Sequence, residues 1–343
     1  MRQICFIFVA FAIVASAALA ASPTPLSMKA VVIHSYGGPE VLKYEDVPRP
    51  EPKEDEVLIR VIAAGVNPID AKVRQGVLAR MATNNPFPMR MGYDAAGIVE
   101  KTGAKTVRFK AGDAVYAYLS IRGGGGAYAE YAVAKEDETS LKPTSCSFEG
   151  AAALPIAAIT AWQALVDQAH LGQGQTVLIH GGSGGVGTIA IQIAKALGAR
   201  VVATASTANQ DLLKQLGADQ AIDYTATKFE DLVKDVDVVL DTVGGDTLAR
   251  SYQLVKKGGM VVTIVDQINQ GELAAREIKG ATLMAHPEAS VLAEVTKLVD
   301  QKKIIPTVSQ ILPLSDAAKA HQQIETKHTR GKIVLRVADS PKT

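Results

Sequence analysis

Cysteine is scarce in this chain, with two in 343 residues, Cys5 and Cys146. That count excludes a disulfide framework and a four-thiolate zinc lobe. The six histidines, at 34, 170, 180, 286, 321 and 328, are scattered without H-E-x-x-H or similar ligand spacing, so no metal site is expected. An excess of one charge is missing too. Lys plus Arg number 36 against 35 acids, a net charge of +1, which argues against a nucleic-acid footprint or an acidic tail. The apolar run Ile4 to Val14 is too short to span a bilayer, which needs about twenty residues. With Arg2 before it and Ala18-Leu19-Ala20 after it, the run reads as a cleaved secretory leader over residues 1–20, the alternative being an uncleaved anchor. A cleaved chain starts near Ala21 and is exported, periplasmic or secreted.

Apolar residues make up 48% of the chain, enough at this length for two cores. The most telling run is Thr176-Val-Leu-Ile-His180, then Gly181-Gly-Ser-Gly-Gly-Val-Gly187, then Thr188 to Gly198: strand, glycine loop, helix. Gly182, Gly184 and Gly187 fit G-x-G-x-x-G, a spacing that lets the chain turn tightly, approach a pyrophosphate closely and pack helix on strand. Amides at the helix start then point at the phosphates, and the macrodipole adds up to ~2 kcal/mol in a partly buried site. Ala199 to Ala205 completes a βαβ unit, so a dinucleotide is the expected ligand.

The second strand ends in Ala205 and Ser206 instead of an acid. A carboxylate there would bond the ribose 2′-hydroxyl of NAD and repel a 2′-phosphate by ~4 kcal/mol at about 4 Å and effective dielectric 20. Its absence favours NADP(H), with Ser206, Thr207 and Asn209 available to phosphate oxygens. No compensating cation is evident, because Lys214 lies further along the predicted helix.

Around this unit the pattern divides. From Met28 come short strands at 29–33, 57–63, 95–100 and 113–117, with turns between them, a β-rich domain. Gly123 to Gly126 reads as a mobile loop beside the strand-like 127–133. Ser145 or Ser147 caps an Ala-rich helix that Pro155 interrupts. Apolar strands near 220–224, 236–243 and 260–265, with a helix near 247–255 and a turn at Lys257-Gly-Gly259, indicate a parallel sheet buried on both faces. Residues 287–337 add two helices and the strand Gly331 to Val337, which is expected to return to the first sheet. The resulting division is 28–148 and 287–337 for one domain, with 149–286 inserted.

The segments MKAVVIHSYGGPEVL, AAGVNPIDAK, GYDAAGIVE, FKAGDAVYA, GGSGGVG, LGADQAIDY, VDVVLDTVGG and RGKIVLRV occur in this order from Met28 to Val337. Together they resemble the zinc-free medium-chain dehydrogenases/reductases of the quinone oxidoreductase and alkenal reductase type, zeta-crystallin-like proteins. The resemblance implies an α/β fold, with a GroES-like β-rich catalytic domain and an inserted Rossmann domain of doubly wound parallel sheet, usually a homodimer. Zinc-dependent relatives carry a cysteine where this chain has Asn67, and a neutral amide does not replace a thiolate, so neither zinc is expected. The implied chemistry is hydride transfer from NADPH to a quinone or an α,β-unsaturated carbonyl, the cofactor carrying the difficult step.

Three residues are candidates for the catalytic site. Asn67 is read either as a donor to the acceptor oxygen or nicotinamide ribose, or as a cap of the Asn-Pro turn. Lys72 matches a lysine that contacts cofactor in alkenal-reductase relatives, against a solvated helix face. Tyr93 lines the pocket or makes a structural hydrogen bond. The same matching implies cofactor contacts from Gly182, Ser183, Gly184, Gly185, Val186 and Gly187, from Ser206, Thr207 and Asn209, and from Tyr224, Val243 and Val265. Relatives often have a basic residue where this chain has Ala208, which removes a charge-assisted bond of ~1.5 to 3 kcal/mol to a 2′-phosphate. The leader motivates a competing reading, an exported nucleotide-binding protein without turnover.

Overall fold

The computed structural model describes residues 27–82 and 87–340. The expected leader over residues 1–20 lies outside them. The first strands are β1 (Ser27–Ile33), β2 (Lys43–Pro48), β3 (Glu56–Val66), β4 (Met89–Arg90), β5 (Asp94–Thr102), β6 (Ala114–Tyr118), β7 (Tyr131–Lys135) and β8 (Thr139–Leu141). A second run holds β9 (Thr176–Ile179), β10 (Arg200–Ala205), β11 (Gln220–Asp223), β12 (Val236–Asp241), β13 (Val255–Thr263) and β14 (Lys279–Thr282). The chain closes with β15 (Val308–Pro313) and β16 (Lys332–Arg336).

Strands β9 to β14 form one parallel sheet in the order β11-β10-β9-β12-β13-β14. That is the doubly wound arrangement, whose order reverses between β9 and β12, and ligands of such sheets bind beyond the strand ends at that reversal. The β-rich lobe has a sheet β15-β16-β3-β5-β6-β8 with β7 also on β3, and a smaller sheet β2-β1-β4. Strand β16 runs antiparallel to β3, pairing Ile333 with Val66 and Arg336 with Ala63. The fold is therefore α/β with a GroES-like lobe and a Rossmann lobe, and the closing strand brings the chain back from the second to the first.

The wall between the lobes follows from local signals. Ser147 Oγ accepts the Gly150 amide at 3.1 Å and starts helix Phe148–Ala152. Pro155 opens a second helix, Pro155–Trp162, at a position where a missing N–H costs nothing. Its Ala- and Ile-rich faces are buried all round, against helix Gly185–Ala196 and helix Ala289–Asp300, so one apolar core runs from β3 to β9.

Two readings of glycine runs need correction. The second half of Gly123 to Gly126 is packed: Gly125 and Gly126 are buried, their amides bond Ser120 O and Gly92 O, and a Cβ on Gly125 would lie 2.5 Å from the Tyr93 ring. The run answers to positive φ at 124, 125 and 126 and to close approach. Lys257 to Gly259 is no turn, because β13 already starts at Val255. Gly258 at φ 78 and the register shift against β12 between Val236 and Val238 mark a bulge inside the strand.

Candidate functional site

Beyond β9 the glycine loop is shaped by what leaves no room for side chains. A Cβ on Gly182 would meet Leu213 at 2.8 Å, and one on Gly187 would sit 2.2 Å from Gly181 O. Gly184 is the N-cap of helix Gly185–Ala196 and brings no side chain to its first amides. Those amides are left for a ligand. Ser183 to Val186 are half-exposed. A helix start with unpaired amides and a turn free of side chains is the kind of cradle that a diphosphate fits.

Across the cleft the loop touches the other lobe. Gly331 N donates to Ser183 O at 2.8 Å, and a Cβ on Gly185 would lie 2.9 Å from Lys332 Cδ. The Lys332 ammonium reaches past the loop into a buried cluster, where it bonds Asn67 Oδ1 and lies 3.3 Å from Asp94 Oδ2. Asn67 Nδ2 donates to Asp94 Oδ2 at 2.9 Å, and Ile156 N donates to Asp94 Oδ1 at 2.9 Å. The Asn67 amide N–H donates to Asp70 Oδ2 at 2.7 Å, which also accepts the Tyr128 hydroxyl at 2.7 Å. Asp70, Asp94 and Tyr128 are fully buried, and Asn67 and Lys332 nearly so.

Burial disfavours charge here. It pushes Asp70 up to about 7, although the Tyr128 hydroxyl, the Asn67 amide and Lys332 pull it back. Burial also raises Asp94, opposed by the Lys332 ammonium and the Asn67 amide. The Tyr93 phenol is raised by burial and by the charge of Asp70. The cluster thus keeps one cation at the foot of the glycine loop, held by two hydrogen-bond acceptors. An ammonium has three donors, so one remains for the oxygen of a bound ligand.

The three catalytic candidates are treated differently. Asn67 has the backbone conformation of an N-cap, but its side chain serves Asp94 and Lys332, and through Lys332 it is the candidate linked to the loop. Lys72 is exposed on helix Pro68–Arg74, two residues from buried Asp70, without an ion pair among the described residues. Tyr93 is buried and its hydroxyl has no hydrogen-bond partner among the described residues. At the adenosine edge Asn209 Nδ2 donates to Ser206 Oγ at 3.1 Å, and the Thr207 and Thr225 hydroxyls are 3.0 Å apart. Tyr224, Val243 and Val265 are about half exposed, each just past the carboxyl end of a parallel strand. Asp223 pairs with Ala205 in register and accepts the Thr225 hydroxyl at 2.6 Å, so an acid stands one strand over from the edge that lacks one.

The sequence reading missed Asp70, Asp94, Tyr128 and Lys332 as site residues. The signal was there in part: Lys332 opens the apolar strand Ile333-Val-Leu335 beside Gly331, and Asp94 opens another beside Tyr93. Among the described residues no group of three or more His, Cys, Asp and Glu is placed to hold a metal.

The alcohol dehydrogenase GroES-like domain matches residues 53–144, and the zinc-binding dehydrogenase family matches residues 216–335. An NADPH-dependent alkenal/one oxidoreductase of Arabidopsis thaliana is 39% identical over 91% of this chain and 80% of its own length. The chain belongs to the medium-chain dehydrogenase/reductase family. A quinone oxidoreductase of Pongo abelii is 33% identical over 90% of this chain and 97% of its own. The quinone oxidoreductase structure from Coxiella burnetii aligns with TM-score 0.84 at 39% identity, covering 91% and 99% of the two chains. That of Escherichia coli in complex with NADPH aligns with TM-score 0.80 at 30% identity, covering 90% and 100%. This family member is an oxidoreductase with the α/β architecture described above.

Proposed function

We propose that this chain reduces quinones or α,β-unsaturated carbonyls with NADPH and without zinc. The observation that carries the reading is the contact of the glycine loop with Lys332, whose ammonium sits on Asn67 and Asp94. NADPH, when bound, supplies the hydride. The chain's own residues orient the acceptor and stabilise charge: the free Lys332 donor and the second Asn67 amide hydrogen are suited to a carbonyl oxygen that gains negative charge. Val243 and Val265 offer apolar surface for the ring-bearing end of the cofactor, and Ser206, Thr207, Asn209 and Tyr224 for the adenosine end.

The donor set supports zinc independence. Asn67 is an amide, and Asp94 is already engaged by an ammonium, an amide and a backbone N–H. Metal analysis of the active protein is expected to find no stoichiometric zinc. The test of function is NADPH oxidation by purified protein against a panel of quinones and enals. Turnover with at least one class is expected. NADPH binding without turnover across the panel would leave the reading as a nucleotide-binding protein. The same proposal includes a leader cleaved near Ala21, checked by N-terminal sequencing, and a homodimer, checked by sedimentation.

A further inference from the structure

Lys332, Asn67, Asp94 and Asp70 form one connected set of buried polar groups beside the glycine loop. Lys332 packs its stem beneath Gly185 and binds Asn67 and Asp94, and Asn67 in turn donates to Asp70. The set holds two carboxyls and one ammonium, so one further proton makes it neutral. Asp70 is the carboxyl farther along the hydrogen-bond chain from the ammonium, and its Oδ1 has no hydrogen-bond partner among the described residues. We propose that Asp70 is a proton-binding site linked to the diphosphate site: it takes a proton from solvent when a cofactor diphosphate lands on the glycine loop and returns it on release. This rests on the reading of Ser183 to Gly187 as that site.

The sign follows from the charges. A diphosphate on the loop brings two negative charges beside Lys332, the cation that offsets Asp94 and Asp70. Both effects disfavour a carboxylate at Asp70. The other groups that face Asp70 do not reverse this: Asp94 is of the same sign, and the Tyr93, Tyr118 and Tyr128 phenols are held neutral, each shifted upward by burial. Arg74, one helical turn on, is engaged by Glu325 and by Gly37 O. Because burial holds Asp70 at about 7, a modest push changes its proton occupancy near neutrality. Each unit charge roughly 10 Å away at an effective dielectric of about 20 moves a carboxyl by about one pKa unit. The Asp70 contribution to cofactor affinity then weakens at least about tenfold as pH rises from the free-state value near 7 through the raised bound-state one, and is flat outside that window.

The experiment is calorimetric titration of the intact protein with NADPH near pH 7.5 in two buffers of different ionisation enthalpy, for wild type and Asp70→Asn. The buffer dependence of the heat counts protons. Proton uptake larger in wild type than in D70N supports the proposal, the titration of the 2′-phosphate being common to both. Equal net proton exchange in the two proteins overturns it while leaving the cofactor site intact. No binding at all in wild type overturns the cofactor reading and this inference with it. Should D70N not fold, Tyr128→Phe serves: loss of its hydrogen bond to the carboxylate raises Asp70, so the pH at which uptake peaks moves up, and an unmoved peak refutes the assignment.

Discussion

Replacing Lys332 by Met removes the ammonium from between Asp94 and Asn67 while keeping most of the stem that packs beneath Gly185. Asp94 is then a fully buried carboxyl with no cation, left with the Asn67 amide and the Ile156 N–H. It either stays ionised without its cation or takes a proton. Protonating a carboxyl of ordinary unfolded pKa near 3.9 costs about 4 kcal/mol at pH 7, which caps the loss. Wild type already bears part of it, because burial raises Asp94 even with Lys332 present. The expected destabilisation is therefore about 2 to 4 kcal/mol, in keeping with broken buried pairs. The pH dependence has a definite sign. A carboxyl raised in the folded state carries no penalty below its unfolded pKa and the full penalty above its folded one, so the gap between variant and wild type must shrink toward pH 4. Urea unfolding followed by Trp162 fluorescence and by circular dichroism measures it, the second probe testing two-state behaviour. Adding Asp94→Asn to K332M removes the stranded charge and should recover most of the loss. K332M within about 1 kcal/mol of wild type at pH 7, where one pKa unit is about 1.4 kcal/mol, would refute the buried ion pair.

Gly187→Ala sets a Cβ 2.2 Å from Gly181 O, backbone against backbone, and should weaken NADPH binding at least about tenfold in a fluorescence titration. Gly185→Ala meets only the flexible Lys332 stem, so its effect on binding should be smaller, and the reverse ranking would contradict the loop geometry. Ser206→Asp should shift preference from NADPH toward NADH through repulsion of the 2′-phosphate, read as the ratio of kcat/KM values, and an unchanged ratio would remove Ser206 from the ribose edge. His180 and His321 are buried and held neutral, each lowered to about 3 mainly by burial. A lowered histidine costs stability as pH falls from its unfolded pKa of about 6.5 toward its folded one, about 2 kcal/mol each by pH 5, so His180→Gln should flatten the acid limb of an unfolding profile.

The parts of this molecule that were legible from the chain are those set by local pattern. Gly182, Gly184 and Gly187 carry their spacing on the sequence, and the structure supplies the reason: neighbours within 3 Å of where a Cβ would be for the first and last, and an N-cap for the middle one. Asn67 and the two-lobed α/β plan were legible through motif order. The acid-free end of β10 was legible as well, but Asp223, brought beside it by the parallel pairing of β10 and β11, was not. The cluster that completes the candidate site was hidden because 265 positions separate Lys332 from Asn67 and 27 separate Asn67 from Asp94, and no periodicity encodes such contacts. The same blindness made Gly123 to Gly126 read as a mobile loop, since what demands glycine at 125 is Tyr93, thirty-odd residues earlier in the chain.

Amide hydrogen exchange of the purified protein with and without NADPH tests the central claim most directly. Binding should slow exchange at residues 183–188, where the helix-start amides meet the diphosphate, and at residues 331–333 across the cleft. Tight NADPH binding with those amides unprotected, or with protection confined to another part of the chain, would contradict the site.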